Sequence, residues 1–293
     1  MAVVLRRAVV DGDGRWYLSR RMSRANSTLR PSMASQADRH ALYEQAVQDP
    51  KRDVRFFSRV YQRLRGREAL RLREDFCGTA ALCHAWAQSM PERTAMGVDL
   101  SQETMDWGIR RWIEPAGEAV ASRIELVRGD VREVRSPKVD LACGLNFSYN
   151  CFKTRNELRE YFEAARAGLD KDGLFFIDLL GGMESMIEGI TDNDQGDFIY
   201  RWEQARFNAR THALLCYIHF IFPDGSEIRR AYTYDWRLWT APELYELLLE
   251  AGFSKVHFYW EKTDREGEGT GIFYEPAFVE NQEIWWTYMA AEA

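Results

Sequence analysis

The stretch LREDFCGTAALCH, residues 72–84, decides the fold. An apolar run that begins at Ala69 ends there on two acids, Glu74 and Asp75, and the chain then turns at a single glycine, Gly78. The residues after the turn have the composition of a helix. A strand, a glycine turn and a helix in this order predict the first unit of a parallel α/β sheet, with a ligand site at the turn.

The alternation of strand and helix continues downstream. Strands are predicted at 69–74, 94–99, 123–128, 139–145 and 173–180, and helices at 35–47, 54–64, about 79–90, 102–113 and 155–168. The last of these helices starts on the capping-box pattern Thr154 to Glu157, and a later one starts on Thr240 to Glu243. Strands separated by helices of this length require crossover connections, which predict a parallel sheet with helices on both faces.

The hydrophobic period changes after Gly181. Residues 211–239 read as two alternating strands about a Pro-Asp-Gly turn, which predicts a hairpin. We therefore expect an aromatic-rich antiparallel β insertion at about 183–238, which caps the strand ends of the main sheet. Strands at 254–262 and 283–291 form a closing antiparallel pair, so the fold class is α/β with a Rossmann-like, mostly parallel sheet of seven strands.

Composition narrows the class of protein. The net charge is −6, which argues against a nucleic-acid partner, and no apolar run is long enough for a membrane span. The five cysteines form no C-x-x-C pair, so we expect reduced thiols, no metal site and a cytoplasmic protein. Residues 1–36 read as a basic N-terminal arm that precedes a domain at 37–293, and organelle targeting by this Arg- and Ser-rich arm stays open as an alternative.

Acidic residues end the predicted strands at the edge where ligands bind in parallel sheets. Asp99 ends the second strand, 25 residues after Glu74, and Asp130 follows the third. A carboxylate at this distance beyond a glycine turn suits a ribose, because it accepts hydrogen bonds from both hydroxyls. On the pattern E/D-x-G-x-G-x-G, however, Phe76 and Ala80 replace glycines, which disfavours a dinucleotide pyrophosphate.

At this point the chain resembles the class I S-adenosylmethionine-dependent methyltransferases. Four stretches carry the resemblance over about residues 37–291: LREDFCGTA (72–80), MGVDLS (96–101), RGDV (128–131) and VDLACGLNFSYNCF (139–152). The REDFCGT and NFSY stretches are most similar to a little-characterised group in that superfamily. The stretch RLWTAPELYELLLEAGF (237–253) is typical of members that methylate small molecules.

The resemblance implies S-adenosylmethionine as the cofactor. The residues it implies for cofactor binding are Tyr43, Arg73, Glu74, Cys77, Gly78, Asp99, Leu100, Asp130, Val131, Leu145 and Asn146. Glu74 and the Gly78 turn would hold the methionyl part, Asp99 the ribose, and Asp130 the adenine amino group. For Arg73 a structural ion pair with a neighbouring acid is the alternative to a clamp on the cofactor carboxylate.

Methyl transfer from a sulfonium needs mainly alignment of the acceptor and exclusion of water. Tyr149 and Asn150 follow the fourth strand and are the catalytic candidates, with a core aromatic as the alternative for Tyr149. Trp202, His219 and Trp260 are the candidates for substrate binding.

The expected function is therefore N- or O-methylation of a small-molecule acceptor. An NAD-dependent oxidoreductase, a non-catalytic binding module of the same fold and a nucleic-acid methyltransferase remain alternatives. The sequence leaves the acceptor and the oligomeric state open, with a homodimer as one option.

Overall fold

The computed structural model describes residues 31–263 and 269–293. The helices are α1 (Met33–Gln36), α2 (Arg39–Val47), α3 (Pro50–Arg65), α4 (Ala81–Ser89), α5 (Gln102–Gly108), α6 (Glu118–Ala121), α7 (Arg155–Ala167) and α8 (Ala241–Glu250). The strands are β1 (Arg71–Asp75), β2 (Thr94–Asp99), β3 (Ile124–Arg128), β4 (Val139–Gly144), β5 (Leu169–Gly181), β6 (Gly189–Asp194), β7 (Ile199–Asn208), β8 (Ala213–Ile221), β9 (Glu227–Arg237), β10 (Lys255–Thr263), β11 (Gly269–Tyr274) and β12 (Trp285–Glu292).

The main sheet has the strand order β11-β10-β12-β5-β4-β1-β2-β3. Strands β1 to β5 are parallel to one another, and β12 is antiparallel to both β5 and β10. The predicted α/β class and the closing antiparallel pair are thus confirmed. The sheet has eight strands and not seven, because β11 adds an antiparallel edge strand to β10. Strand order reverses between β1 and β4, so the ligand crevice of such a sheet lies above these two strands.

The two faces of β1 bury different side chains. Leu72 belongs to the apolar cluster formed with α3 and α4, whereas Asp75 bonds to Tyr161 of α7. Because side chains alternate along a strand, Glu74 faces the α4 side with Leu72, and Arg73 faces the α7 side. A charged strand is thereby held between two apolar layers.

Helix ends follow the local chemistry of the sequence. Both predicted capping boxes, at Thr154 and at Thr240, are confirmed, with the reciprocal side-chain and backbone bonds in place. The helix predicted at 35–47 is two helices, because the Asp38 side chain caps a new start by accepting from the amides of His40 and Ala41. The helix predicted at 102–113 continues beyond α5 as a π-helical turn.

The insertion folds as a four-stranded antiparallel sheet of order β6-β7-β8-β9, which we call the cap sheet. The hairpin predicted from 211–239 is β8 and β9, whereas β6 and β7 were missed. The cap sheet packs on α2: Tyr43 and Ala46 share an apolar cluster with Phe198 and Phe220. The aromatic insertion therefore lies against α1 and α2.

Residues 1–30 of the predicted basic arm lie outside the described residues. Among the residues described, no helix combines the length and apolarity that crossing a membrane requires.

Candidate functional site

Asp99 joins the first two loops at the carboxyl edge of the sheet. One carboxylate oxygen accepts the Gly78 amide at 2.8 Å, and the other accepts the Ser101 amide, also at 2.8 Å. The side chain is half-buried. A carboxylate offers about four acceptor positions, so each oxygen keeps one free for a ligand hydroxyl. Asp99 thus has the geometry to hold a diol directly beside the Gly78 turn.

The turn after β1 keeps a left-handed backbone at its non-glycine positions. The φ angles are 58° at Phe76 and 57° at Ala80, close to the 54° of Gly78. Left-handed backbone costs a non-glycine residue about 1–2 kcal/mol. The Phe76 ring is directed away from the turn, against Phe152 and Tyr161, at centroid distances of 6.0 and 5.4 Å. Phe76 and Ala80 therefore adopt the backbone conformation that glycine favours, with the Phe76 ring packed in the core.

Small residues let neighbouring elements touch this loop. A Cβ at Gly108 of α5 would lie 1.9 Å from the Thr79 carbonyl oxygen, so α5 packs directly on the loop backbone. Cys77 is buried against Gly97 of β2, where an added Cβ would lie 2.8 Å from the Cys77 sulfur. Burial raises the pKa of the Cys77 thiol, which stays protonated. The Cys77 side chain packs, and any part in cofactor binding falls to its backbone.

Glu74 is buried behind the loop. Its carboxylate accepts the Cys83 amide and faces the Cys83 thiol, each at 3.1 Å. Burial raises the pKa of Glu74 to about 8, with the charges of Asp53 and Asp99 adding to the shift. Glu74 and Asp99 therefore lie close enough to interact electrostatically, and a cationic ligand beside them would favour the ionised form of Glu74.

Arg73 is fully buried and paired. Its guanidinium contacts the Asp75 carboxylate at 2.9 and 3.1 Å and donates to the Val134 carbonyl at 2.8 Å. With 0% of the residue exposed, no surface remains for a cofactor carboxylate. This geometry matches the structural ion pair and argues against the cofactor role predicted for Arg73.

The residues after β3 and β2 differ in exposure. Asp130 accepts bonds from the Arg132 side chain and amide, and these bonds lower its pKa. Val131 is core, at 4% exposure, whereas Leu100 is 69% exposed. Because β2 and β3 are adjacent and parallel, Asp130 and Asp99 stand at the same sheet edge. Their adenosine-binding roles remain predictions.

Asp178 of β5 is a site residue that the sequence reasoning missed. Its carboxylate accepts the amides of Asn146 and Phe147, at 2.8 and 2.9 Å, and both of these residues have a left-handed backbone. Burial raises the pKa of Asp178 to about 7. The one available signal was an acid within the apolar run LFFIDLL (174–180). The Asp178 carboxylate thereby holds the loop that contains Leu145 and Asn146, two of the residues predicted to bind the cofactor.

The catalytic prediction for Tyr149 does not fit its position. Tyr149 is 0% exposed, and its hydroxyl donates to the Asp178 main-chain carbonyl at 2.8 Å. A buried hydroxyl that already donates to the backbone cannot reach a methyl acceptor. The position of Tyr149 therefore matches the alternative role, that of a core aromatic. Asn150 is 4% exposed, and its Oδ1 has no hydrogen-bond partner in the part of the chain that the structure describes.

Tyr43 and Trp202 lie where α2 meets the cap sheet. The Tyr43 ring is 4.8 Å from that of Tyr232, and Trp202 is 5.8 Å from Tyr234. Burial raises the pKa of Tyr43 to about 12, with a hydrogen bond to Tyr234 opposing the shift and the charge of Asp178 adding to it. Tyr43 therefore packs on the cap sheet and interacts electrostatically with Asp178 of β5.

Two predicted substrate residues lie elsewhere. Strand register pairs His219 with Arg201, on the face of the cap sheet opposite Trp202, and His219 bonds to Glu203 at 2.8 Å. His219 and Trp202 therefore do not share a face, which argues against a common substrate site for the two residues. Trp260 lies in β10 and packs against Trp285, with a ring-centroid distance of 5.3 Å, in the layer beside α8.

Helix α2 contacts the loop after β1 as well as the cap sheet. The Glu44 carboxylate accepts from the Thr79 hydroxyl at 2.5 Å and from the Trp112 indole at 2.8 Å. Asp38 accepts from the Trp107 indole at 2.6 Å. No group of His, Cys, Asp and Glu suited to a metal ion occurs within 31–263 and 269–293.

The architecture is similar to that of solved methyltransferases. An S-adenosylmethionine-dependent methyltransferase from Clostridium acetobutylicum shares 17% identity at a TM-score of 0.62, over 86% of this chain and 96% of its own. An amino pentose methyltransferase from Micromonospora echinaspora, with S-adenosylmethionine bound, shares 15% identity at 0.61, over 92% and 100%. A sugar N-methyltransferase from a Streptoalloteichus species shares 15% at 0.59, over 94% and 99%.

At such identities the similarity establishes the fold alone, which this chain shares with these solved methyltransferases. No family model matches the sequence, and no curated protein matches it.

Proposed function

We propose that this chain transfers a methyl group from S-adenosylmethionine to a small-molecule acceptor. The observation that carries the proposal is the Asp99 carboxylate, held between the Gly78 and Ser101 amides with one acceptor position free on each oxygen. It stands beside the point where strand order reverses, which is where open α/β sheets bind nucleosides.

The charges around the site fit this cofactor. Burial raises the pKa values of Glu74, Asp178 and Asp53, so the charged form of each carboxyl is disfavoured in the folded chain. A bound cation would stabilise that charged form, whereas an anionic pyrophosphate would disfavour it further. When bound, S-adenosylmethionine supplies an electrophilic methyl group on a positively charged sulfur.

The chain's own contribution is binding, orientation and exclusion of water. Asp99 holds the ribose, and the Leu145–Asn146 backbone, fixed by Asp178, borders the methionyl end. Helix α2 covers the loop through Glu44 and meets the aromatic cap sheet through Tyr43. Alignment in a closed site of this kind accounts for a large part of a displacement barrier. The neighbours described as sugar and amino pentose methyltransferases support a small-molecule acceptor, with N- or O-methylation as the reaction.

The test is a calorimetric titration of the full chain with S-adenosylhomocysteine and, separately, with NADH. We expect binding of the first and none of the second. Binding of NADH alone would instead support an NAD-dependent oxidoreductase. Binding of neither ligand would indicate a non-catalytic module that has the fold but does not bind the cofactor. Transfer from methyl-labelled donor to a panel of amines and alcohols then identifies the acceptor atom.

A further inference from the structure

The cap sheet has two chemically different faces. Directly paired residues of neighbouring strands point to the same face, and side chains alternate along each strand. Register therefore defines an inner cap face, which is the face that packs on α2. Its members are Gly189, Thr191, Asn193, Tyr200, Trp202, Gln204, Phe207, Leu214, Cys216, Ile218, Phe220, Ile228, Tyr232, Tyr234 and Trp236.

No residue of the inner cap face is charged, although the structure describes all four of its strands. The charges of these strands, such as Arg201, Glu203 and Asp235, alternate onto the opposite face. One cation touches the inner face from its rim: Arg39 lies 5.9 Å from the Tyr232 ring, with a side chain 46% exposed and paired with Glu103.

Part of the inner cap face is fully packed, and part of it retains accessible surface. Cys216 and Phe220 are 0% exposed. Trp202 and Tyr234 are only half-buried, as is Phe147 of the β4 loop, which shares an apolar cluster with them. These three residues, which we call the aromatic wall, therefore keep accessible surface on or beside the inner cap face.

Two carboxylates lie beside this aromatic wall. The Asp178 carboxylate accepts the Phe147 amide, and its charge contributes to the raised pKa of Tyr43. The Glu188 carboxylate accepts the amide of Phe207, another ring of the same apolar cluster. Within the described residues, the one cation at the rim of the inner cap face is Arg39, which is already paired with Glu103. Aromatic faces attract cations, whereas an anion buried without a partner loses several kcal/mol of hydration free energy.

This inference rests on the function proposed above. We infer that the methyl acceptor is a small amine on an aromatic or aliphatic skeleton, bound against Trp202, Tyr234 and Phe147. Acceptors that carry a carboxylate or phosphate group are excluded. Specificity arises here from what the inner cap face lacks. An anionic group placed against it would displace water without receiving any charged hydrogen-bond donor in return.

The test uses the full chain saturated with S-adenosylhomocysteine and matched amine and acid pairs: benzylamine and benzoate, phenethylamine and 3-phenylpropanoate, tryptamine and indole-3-propionate, with thymidine diphosphate added. Calorimetry should show at least one amine binding about 10-fold or more tightly than its paired acid, with no binding of the nucleotide. Equal or tighter binding of the acids, binding of the nucleotide, or absence of binding by every amine would overturn the inference.

Variants locate the effect. Trp202→Ala should weaken binding of the preferred amine about 10-fold while S-adenosylhomocysteine affinity stays unchanged. Tyr217→Ala, an aromatic on the opposite face of the same sheet, is the matched control and should change neither. An equal loss in both variants contradicts the placement. Failure of S-adenosylhomocysteine itself to bind the wild-type chain would instead reject the proposed function, so the two failures are distinct.

Discussion

Replacement of Asp99 by alanine tests the central contact of the site. Its carboxylate holds the Gly78 and Ser101 amides and has one free acceptor position on each oxygen for a ribose hydroxyl. Hydrogen bonds to a charged group contribute about 1.5–3 kcal/mol each, so loss of two costs roughly 3–6 kcal/mol of binding free energy. At about 1.4 kcal/mol per tenfold change, S-adenosylhomocysteine affinity should fall between about 100- and 20,000-fold.

Calorimetry with S-adenosylhomocysteine measures this loss, and thermal unfolding without ligand shows whether the variant is folded. Asp106→Ala is the matched control, because the Asp106 carboxylate accepts from the neighbouring Gln102 side chain and has no bond to the loop. A folded Asp99→Ala protein that binds within about threefold of wild type would refute the ribose assignment. So would an equal loss of affinity in the Asp106 variant.

Three further changes test the surrounding structure. Gly108→Ala places a Cβ 1.9 Å from the Thr79 carbonyl oxygen and should lower the unfolding free energy, measured by denaturant titration, by roughly 1–3 kcal/mol. Gly189→Ala is the control, because a Cβ at Gly189 meets open space and should change the unfolding free energy little. Burial raises the pKa of Glu74 to about 8 from an ordinary 4.5, so ionisation of Glu74 increasingly destabilises the folded state as pH rises between these values. Glu74→Gln should therefore flatten the pH dependence of the unfolding free energy, with the largest gain in stability at pH 8. An unchanged slope would contradict the assigned burial. Tyr149→Phe removes one buried hydrogen bond and should lower stability by about 1 kcal/mol while kcat is retained; a large loss of kcat in a stable, cofactor-binding variant would restore its catalytic role.

The sequence predicted the main sheet well because its cues are local. Continuous apolar runs separated by capped helices leave few alternatives for β1 to β5, and Thr154 and Thr240 formed the predicted boxes. β6, with the sequence GITDND (189–194), has no apolar alternation, since it is an exposed edge strand. The pairing of β6 with β7 depends on tertiary contacts, which local sequence patterns do not predict.

Side-chain direction was harder to predict than element type. His219 lies in LLCYIHFIF (214–222), where apolar residues occupy both strand faces, so alternation could not assign it a side. Arg73 and Tyr149 were read as functional because polar groups stood near strand ends. The structure satisfies both internally, through Asp75 and the Asp178 carbonyl. Only the three-dimensional partners distinguish a buried polar group from one that binds a ligand.

Phe76 and Ala80 have a consequence for how such proteins are recognised from sequence. In this chain Phe76 and Ala80 adopt the left-handed backbone that glycine usually supplies, because the Phe76 ring packs against Tyr161 and Ala80 carries only a methyl group. A sequence pattern written in glycines would pass over the chain although the left-handed turn is present. A search for such loops should therefore compare backbone dihedral angles as well as residue types.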